Sequence, residues 1–257
     1  MPRFKLTNEY AGTRYSGWQI QKNARTIQGE IDRAARTVTS RKDFELYGAG
    51  RTDAGVHALA QVAHLDVATT LPAETLRRRL NDELPADINI LEATQVPHRF
   101  HARHDAVARR YMYQIARRRT AFAKAHVWWV REPIDVSKMR DAAAAFVGMR
   151  DFKAFAATTA RDKTDETDEP PPSTLVLVDR VDIIEDGALV LVGVEGSHFL
   201  WKMVRRMVGF LVEIGRGEAP PADPARFTAP PSGLFLARVY YQGDARTDPL
   251  RAATPLA

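Results

Sequence analysis

The chain has 257 residues, 45% of them hydrophobic, with 37 basic against 32 acidic side chains, a formal charge of +5 and a pI near 9.5. That length suits one large domain or two of ordinary size, and the apolar content is enough for a core, so global disorder is excluded. There is no cysteine, which excludes disulfides, thiolate zinc sites, iron–sulfur clusters and cysteine nucleophiles.

The chain opens Met1-Pro2-Arg3-Phe4-Lys5-Leu6 and runs straight into a strand pattern, with no signal-peptide core and no transit-peptide character. No apolar run reaches the length of a membrane span. The expectation is a soluble cytoplasmic protein. Phe4 to Tyr10 alternates and predicts a strand, and Ser16-Gly17-Trp18-Gln19 reads as a loop. Thr26 to Thr39 places Ile27, Ile31, Ala34, Ala35 and Val38 at helical spacing. Phe44 to Tyr47 and Gln61 to Val67 alternate, predicting two strands around the segment Gly50-Arg51-Thr52-Asp53-Ala54-Gly55-Val56-His57. Pro72 opens a second helix with Leu76, Leu80 and Leu84 on one stripe, and Ile88 to Val96 predicts another strand.

A second block follows. Arg109 to Ile115 alternates, with Tyr111, Tyr113 and Ile115 on one face and Met112 and Gln114 on the other. Ser137 to Val147 is an alanine-rich helix. Residues 160–173 are polar and acidic and end in prolines, which predicts a long exposed loop. Leu175 to Ile184 and Ala188 to Val194 flank Glu185-Asp186-Gly187, a hairpin signal. Phe199 to Ile214 predicts a helix capped by Gly215, Leu234 to Tyr241 a last strand, and the final residues are expected to fray. Strands and two helices in each half argue for α+β layers in two halves, residues 1–105 and 106–257, with a weak two-fold duplication of the fold.

Chemistry concentrates at Asp53. A carboxylate on a glycine-hinged loop, with Arg51 two positions away to hold it charged, is what a nucleophile or acid–base catalyst needs; the plain alternative is an Asp that caps a turn. Gly50 and Gly55 would give the loop backbone angles closed to other residues. Arg205 and Arg206 stand in the middle of a mostly apolar helix, so one of them must pair with an acid or reach water. Tyr111 follows Arg109-Arg110 on a strand, where a tyrosine could stack on a base or simply be half-buried core. Arginine runs at 77–79, 109–110, 117–119 and 205–206 suit a polyanion partner. His98, His101, His104 and Asp105 could be read as metal ligands, but Pro97 and the lack of a helix pattern favour basic phosphate contacts on a loop. No phosphate-cradling glycine loop and no Gly-x-Ser-x-Gly elbow is present.

Together these segments resemble the tRNA pseudouridine synthase A family. The resemblance is carried by Gly50 to His57, by Tyr15-Ser16-Gly17-Trp18-Gln19 and Thr26-Ile27-Gln28-Gly29-Glu30, and by Phe100-His101-Ala102-Arg103 followed by Arg109-Arg110-Tyr111-Met112-Tyr113. Asp151-Phe152-Lys153-Ala154-Phe155, Phe199 through Arg205 to Gly209, Gly215-Arg216-Gly217 and Ala229-Pro230-Pro231-Ser232-Gly233-Leu234 complete it in order. It implies the pseudouridine synthase fold, α+β with two similar halves, antiparallel sheets and helices around a central basic cleft. It implies isomerisation of uridine to pseudouridine in the anticodon stem-loop of tRNA, at about positions 38 to 40, on an extruded base. It implies a homodimer with no cofactor, no catalytic metal and no membrane. Asp53 matches the family's catalytic aspartate, Tyr111 its active-site tyrosine and Arg205 the arginine that pairs with the aspartate. Arg51, His57, His101, Arg103, Arg109, Arg110 and Tyr111 would contact the RNA, mostly at phosphates. The acidic run departs from the more basic family pattern and bears on target choice. Three rivals are a synthase of the same fold acting on other RNA uridines, a catalytically silent RNA-binding protein, and a metal-dependent hydrolase using the histidines.

Overall fold

The alternation near the N-terminus folds as expected: Arg3–Tyr10 is strand β1, with Phe4, Leu6, Asn8 and Tyr10 all buried on one side of the pleat. The structure, a computed structural model, describes residues 1–157, 173–219 and 222–257. Apart from Ser173, the stretch expected as an acidic loop lies outside the described residues. The described chain divides into two units, Met1–Arg109 with Phe235–Asp248, and Arg110–Leu234 with Pro249–Ala257.

In the first unit β1 is followed by α1 (Ile27–Thr39), β2 (Glu45–Gly48), β3 (His57–Asp66), α2 (Ala73–Glu83) and β4 (Ile88–Val96). The strands lie in the order β4-β1-β3 with β2 also on β3, and each of these pairings is antiparallel. This is the split βαβ arrangement, in which each helix carries the chain between strands that flank a third. Thr26 caps α1, its hydroxyl accepting from the Gly29 N–H at 3.2 Å. Ile27, Ile31, Ala34 and Ala35 from α1, and Leu76 and Leu80 from α2, are fully buried, as are Leu6, Leu65 and Ile90 from the strands. Burying each large aliphatic side chain contributes about 1.5–3 kcal/mol. β3 begins at His57, four residues before its expected start, so His57 belongs to the strand and not to the loop. A further strand, β10 (Leu234–Tyr241), runs parallel to β3 through Phe235 opposite His57 and Leu236 opposite Ala58.

The second unit holds β5 (Ala106–Ala116), β6 (Trp128–Trp129), α3 (Val136–Ala143), β7 (Gly148–Asp151), β8 (Leu175–Asp186), β9 (Leu189–Gly196) and α4 (Met203–Gly215). Its strands run β5-β9-β8-β7, with β6 added to β5. Every residue of β9 is buried, so its run of Val and Leu is a strand covered on both faces. β6 and β7 carry no alternating pattern, which is why the sequence does not announce them. Strands β1-β3-β2 and β5-β9-β8 stand in corresponding order, and the chain reads β-α-β-β-α-β twice once β6 and β7 are set aside. The fold is therefore α+β in two similar halves.

Three local expectations are corrected. Helix α4 starts at Met203, because Lys202 has φ +59° and breaks the helical path after Trp201. It is Gly217, at φ +89°, that takes the left-handed position after α4, while Gly215 is still helical. The C-terminal residues do not fray. Leu250, Ala252 and Leu256 pack on Leu189, Leu191, Ala116, Ala123 and Val127, and the buried Gln114 side chain accepts from Ala253 N–H at 2.7 Å and donates to Thr254 Oγ1 at 3.0 Å. A buried amide needs such partners, and the tail supplies them.

Candidate functional site

The segment around Asp53 is held from several directions within the first unit. Ala49 N–H donates to Val62 O at 2.7 Å, which ties the loop's start to β3. Gln61, fully buried on the same strand, donates to Gly50 O at 3.0 Å. Thr52 is buried, its hydroxyl 2.9 Å from the Tyr10 phenol at the end of β1, and its carbonyl accepts from Trp18 N–H at 3.0 Å. Gly55 N–H donates to Tyr15 O, and Val56 N–H returns to Asp53 O at 3.1 Å, closing a tight turn. Gly55 sits at φ +78°, where side chains with a Cβ are strained. Gly12 lets the backbone pass so close that a Cβ there would lie 1.9 Å from Val56 O. Gly50 is different: its φ is not in the left-handed region and a Cβ would meet nothing within 4 Å, so the conformational demand expected of it is absent. The result is a partly exposed carboxylate on a braced turn, with the Thr52 and Asp53 carbonyls and the Gly55 and Val56 N–H groups hydrogen-bonded.

The basic residues expected to meet RNA sort into two groups. Arg51 and Arg103 are exposed, and both line a depression of about 240 Å³ together with Trp18, Tyr47 and Gly50. The others hold protein. His57 is fully buried, its Nδ1 accepting from Gly12 N–H at 3.0 Å and its ring stacked 4.7 Å from Phe235. It supports the loop from beneath and cannot reach a ligand directly. Arg110 is buried and paired with Asp182 at 3.1 Å, so its charge is spent inside the second unit. Arg109 donates to the carbonyls of Ala106, Ala49 and Arg103 at 3.0, 3.1 and 2.8 Å, a clamp between the start of the Asp53 loop and the turn ahead of β5. Some members of the arginine runs also hold protein: Arg77 binds Glu74, Arg117 binds Glu185, and Arg118 holds the Ala257 carbonyl. Burial, which periodicity alone does not give, sets His57 and Arg110 apart from Arg51 and Arg103.

His101 sits in a hydrogen-bonded turn. Its Nδ1 accepts from the N–H groups of Arg103 and His104, both at 3.2 Å, while its own N–H donates to Asp105 at 2.9 Å. Burial lowers its pKa, with the neighbouring charges of His104 and Arg3 acting in the same direction. The His98, His101, His104, Asp105 constellation does not converge: among the described residues no group of three or more His, Asp or Glu side chains is placed to hold a metal ion. Sequence reading missed His64. It is buried on β3, accepts from Ala102 N–H at 3.1 Å, and burial, reinforced by the Arg3 charge, brings its pKa down to about 4. Its alternation with Val62 and Asp66 was the available signal.

In the second unit Tyr111 stands on β5 with its ring edge-on to Phe199, 5.2 Å between centroids. It is partly exposed, whereas Met112 through Ala116 are all buried, so the expected difference between the two faces of this strand vanishes beyond Tyr111. Arg205 projects from the first half of α4 and is oriented by Ala229: Nε donates to its carbonyl at 2.7 Å, and Ala229 N–H donates back to Arg205 O at 3.1 Å. The close approach depends on Gly209, where a Cβ would fall 1.4 Å from Phe227 O. Tyr113, fully buried, donates to Pro230 O at 2.7 Å. Burial pushes its phenol well above the ordinary tyrosine range, and the nearby Arg205 charge pulls against that. The Ala229–Leu234 segment, noted in the sequence only as a marker, thus holds both Arg205 and Tyr113. Arg206, by contrast, turns inward to the Ala156 carbonyl, and burial lowers its pKa. Of the two helix arginines, Arg205 is thus held by Ala229 and Arg206 by Ala156.

The profile of a family described as tRNA pseudouridine synthase matches residues 6–105 and 142–242. Asp53 and Arg205 fall inside those segments and Tyr111 outside them. The tRNA pseudouridine synthase A of Citrifermentans bemidjiense is 40% identical over 256 residues, covering 94% of this chain and 98% of its own. That of Rhodopseudomonas palustris is 41% identical over 94% of this chain and 100% of its own. That of Limosilactobacillus fermentum is 38% identical over 96% and 99%.

Proposed function

Given that the chain belongs to the tRNA pseudouridine synthase family, we propose that it isomerises uridine to pseudouridine in the anticodon stem-loop of tRNA, at about positions 38 to 40, on a nucleotide drawn out of its stack. The reaction breaks the bond from C1′ to N1, turns the uracil over and joins C1′ to C5; the proton lost from C5 is matched by one gained at N1. Substrate and product are isomers at the same oxidation level, so the chemistry asks for no redox or group-carrying cofactor. Asp53 is the reactive carboxylate. It adds to the sugar or the base to form a covalent intermediate, or removes a sugar proton to give a glycal. Arg205 is its cationic partner, with the added role of filling the space the base leaves. Tyr111 stacks on the uracil, and its hydroxyl assists removal of the C5 proton. Arg51 and Arg103 engage phosphates and position the RNA without reading its sequence.

The observation that carries this reading is the rigid turn that presents Asp53, braced by Tyr10, Trp18, Gln61 and Val62. RNA binding alone has no use for a carboxylate held that way. The helices offer no contrary signal: among the described residues none is long and apolar enough to cross a membrane. A cytoplasmic homodimer completes the proposal; Met149, Leu175 and Leu177, exposed on β7 and β8, are side chains a second copy would cover. The test is Asp53→Asn assayed by tritium release from tRNA labelled at uracil C5. Turnover should vanish while tRNA affinity stays within about tenfold, since phosphate contacts supply most of the binding. Full turnover by the variant would remove Asp53 from the mechanism.

A further inference from the structure

Tyr47 is the most conspicuous exposed aromatic beside the Asp53 loop, and nothing in the reaction uses it. It is 53% exposed although it lies on a paired strand. β2 and β3 place it directly opposite His64, and the two rings lie nearly parallel, 11° between planes and 5.7 Å between centroids. His101 flanks the phenol at 5.7 Å and packs edge-on against His64 at 4.7 Å. The tyrosine is therefore propped from behind by imidazoles whose own Nδ1 atoms are occupied by backbone N–H groups. Holding such a ring at the surface costs little rotamer freedom on binding, because the fold has already fixed it.

Its surroundings carry charge of one sign toward the catalytic loop. Tyr47 shares the 240 Å³ depression with Trp18, Gly50, Arg51 and Arg103. That volume lies below the roughly 300–1,000 Å³ of enclosed small-molecule sites. Gly48 belongs to the same wall, and a side chain there would run into the Trp18 ring at 2.6 Å. The acid on this strand, Glu45, is opposite Asp66 at the far end from the loop. A flat ring open on one side, two exposed guanidiniums beside it and a shallow recess fit one unstacked nucleotide: the base lies on the ring and the phosphate between the arginines.

We propose that Tyr47 is a stacking platform for a nucleotide next to the uridine that reacts, with Arg51 and Arg103 gripping the phosphate between them. This rests on the isomerase reading above and adds to it a determinant of how the loop is held open. Stacking tolerates any base, so the site selects an unpaired strand and not a particular letter.

Two measurements test it. Anticodon stem-loop RNAs carrying 5-iodouracil at each loop position in turn are irradiated in complex with the Asp53→Asn chain, and the crosslinked peptide is identified by mass spectrometry. A crosslink to Tyr47 from a nucleotide flanking the target is expected; crosslinks that never reach the Glu45–Gly48 strand would overturn the proposal. In steady-state assays with the otherwise unaltered chain, Tyr47→Ala should raise KM about tenfold, and the loss should appear in KM and not in kcat; Tyr47→Trp should restore most of it. A KM for Tyr47→Ala equal to that of the parent would sink the idea. Absence of pseudouridine with the parent protein would instead count against the isomerase reading, and the crosslink would still report on stacking.

Discussion

Replacing Arg109 with methionine separates a clamp from a phosphate contact. The guanidinium donates to Ala106 O at 3.0 Å, Ala49 O at 3.1 Å and Arg103 O at 2.8 Å. A hydrogen bond from a charged donor contributes about 1.5–3 kcal/mol. The three share one partly exposed side chain and are not additive, so the loss is about 2–3 kcal/mol in all. For a chain of this size each kcal/mol moves the melting temperature by about 2–4 °C, which gives a drop of about 5–10 °C. Ala49 begins the loop that ends in Asp53, and a shift of about 1 Å in a reacting group costs on the order of a hundredfold. Tritium-release kinetics on Arg109→Met should therefore show kcat down about 10- to 100-fold. The salt dependence of RNA binding supplies the control. Losing one phosphate contact flattens the slope of log K against log salt by about 0.7–0.9, and a clamp leaves that slope alone. A flattened slope with an unshifted melting temperature and normal kcat would refute the reasoning and return Arg109 to the RNA contacts.

Gly55→Ala forces a Cβ into φ +78° and should cost about 1–2 kcal/mol in denaturant unfolding, whereas Gly50→Ala, with open space and no left-handed backbone, should change stability by under about 0.5 kcal/mol; equal costs at the two sites would dissolve the distinction. His64 should make the fold acid-sensitive. Its folded pKa is lowered from 6.5 to about 4, so its contribution is present above about pH 6.5 and is lost as pH falls through that window, because the unfolded imidazole takes up a proton the folded one refuses. The whole effect is at most about 3 kcal/mol. His64→Gln should flatten the fall in stability between pH 6.5 and 4, and a variant whose profile keeps the full fall would show that other groups cause it. Asp66 acts in a different range: burial raises it but the Arg3 hydrogen bond and charge outweigh that, so its contribution goes only below the usual carboxylate pKa.

How much of the fold and the site is legible in the sequence depends on the range over which each signal acts. The apolar spacing of Ile27, Ile31, Ala34 and Ala35, and the alternation of β1, are properties of neighbouring residues; burial in the structure agrees with them. The Asp53 loop is legible for the same reason: its carboxylate, its left-handed glycine and its exposed arginine lie within a few positions of each other. The bracing of that loop is not. Tyr10, Trp18 and Gln61 reach it from other segments; the pairing of β1 with β3 brings Tyr10 into range and that of β2 with β3 brings Gln61.

The amino-acid sequence alone indicated most of the element types and the two-halved plan, because those depend on period, composition and contiguous spacing. Tertiary structure decided which charged side chains face outward. His57 and Arg110 look from the sequence like ligand-binding groups, yet both are buried, one under Gly12 and Phe235 and the other against Asp182. Tyr47, an ordinary strand residue in the sequence, is left standing at the surface. The physical reason is that exposure is set by which distant segment covers a face, and a strand's own period says only that one of its two faces will be covered.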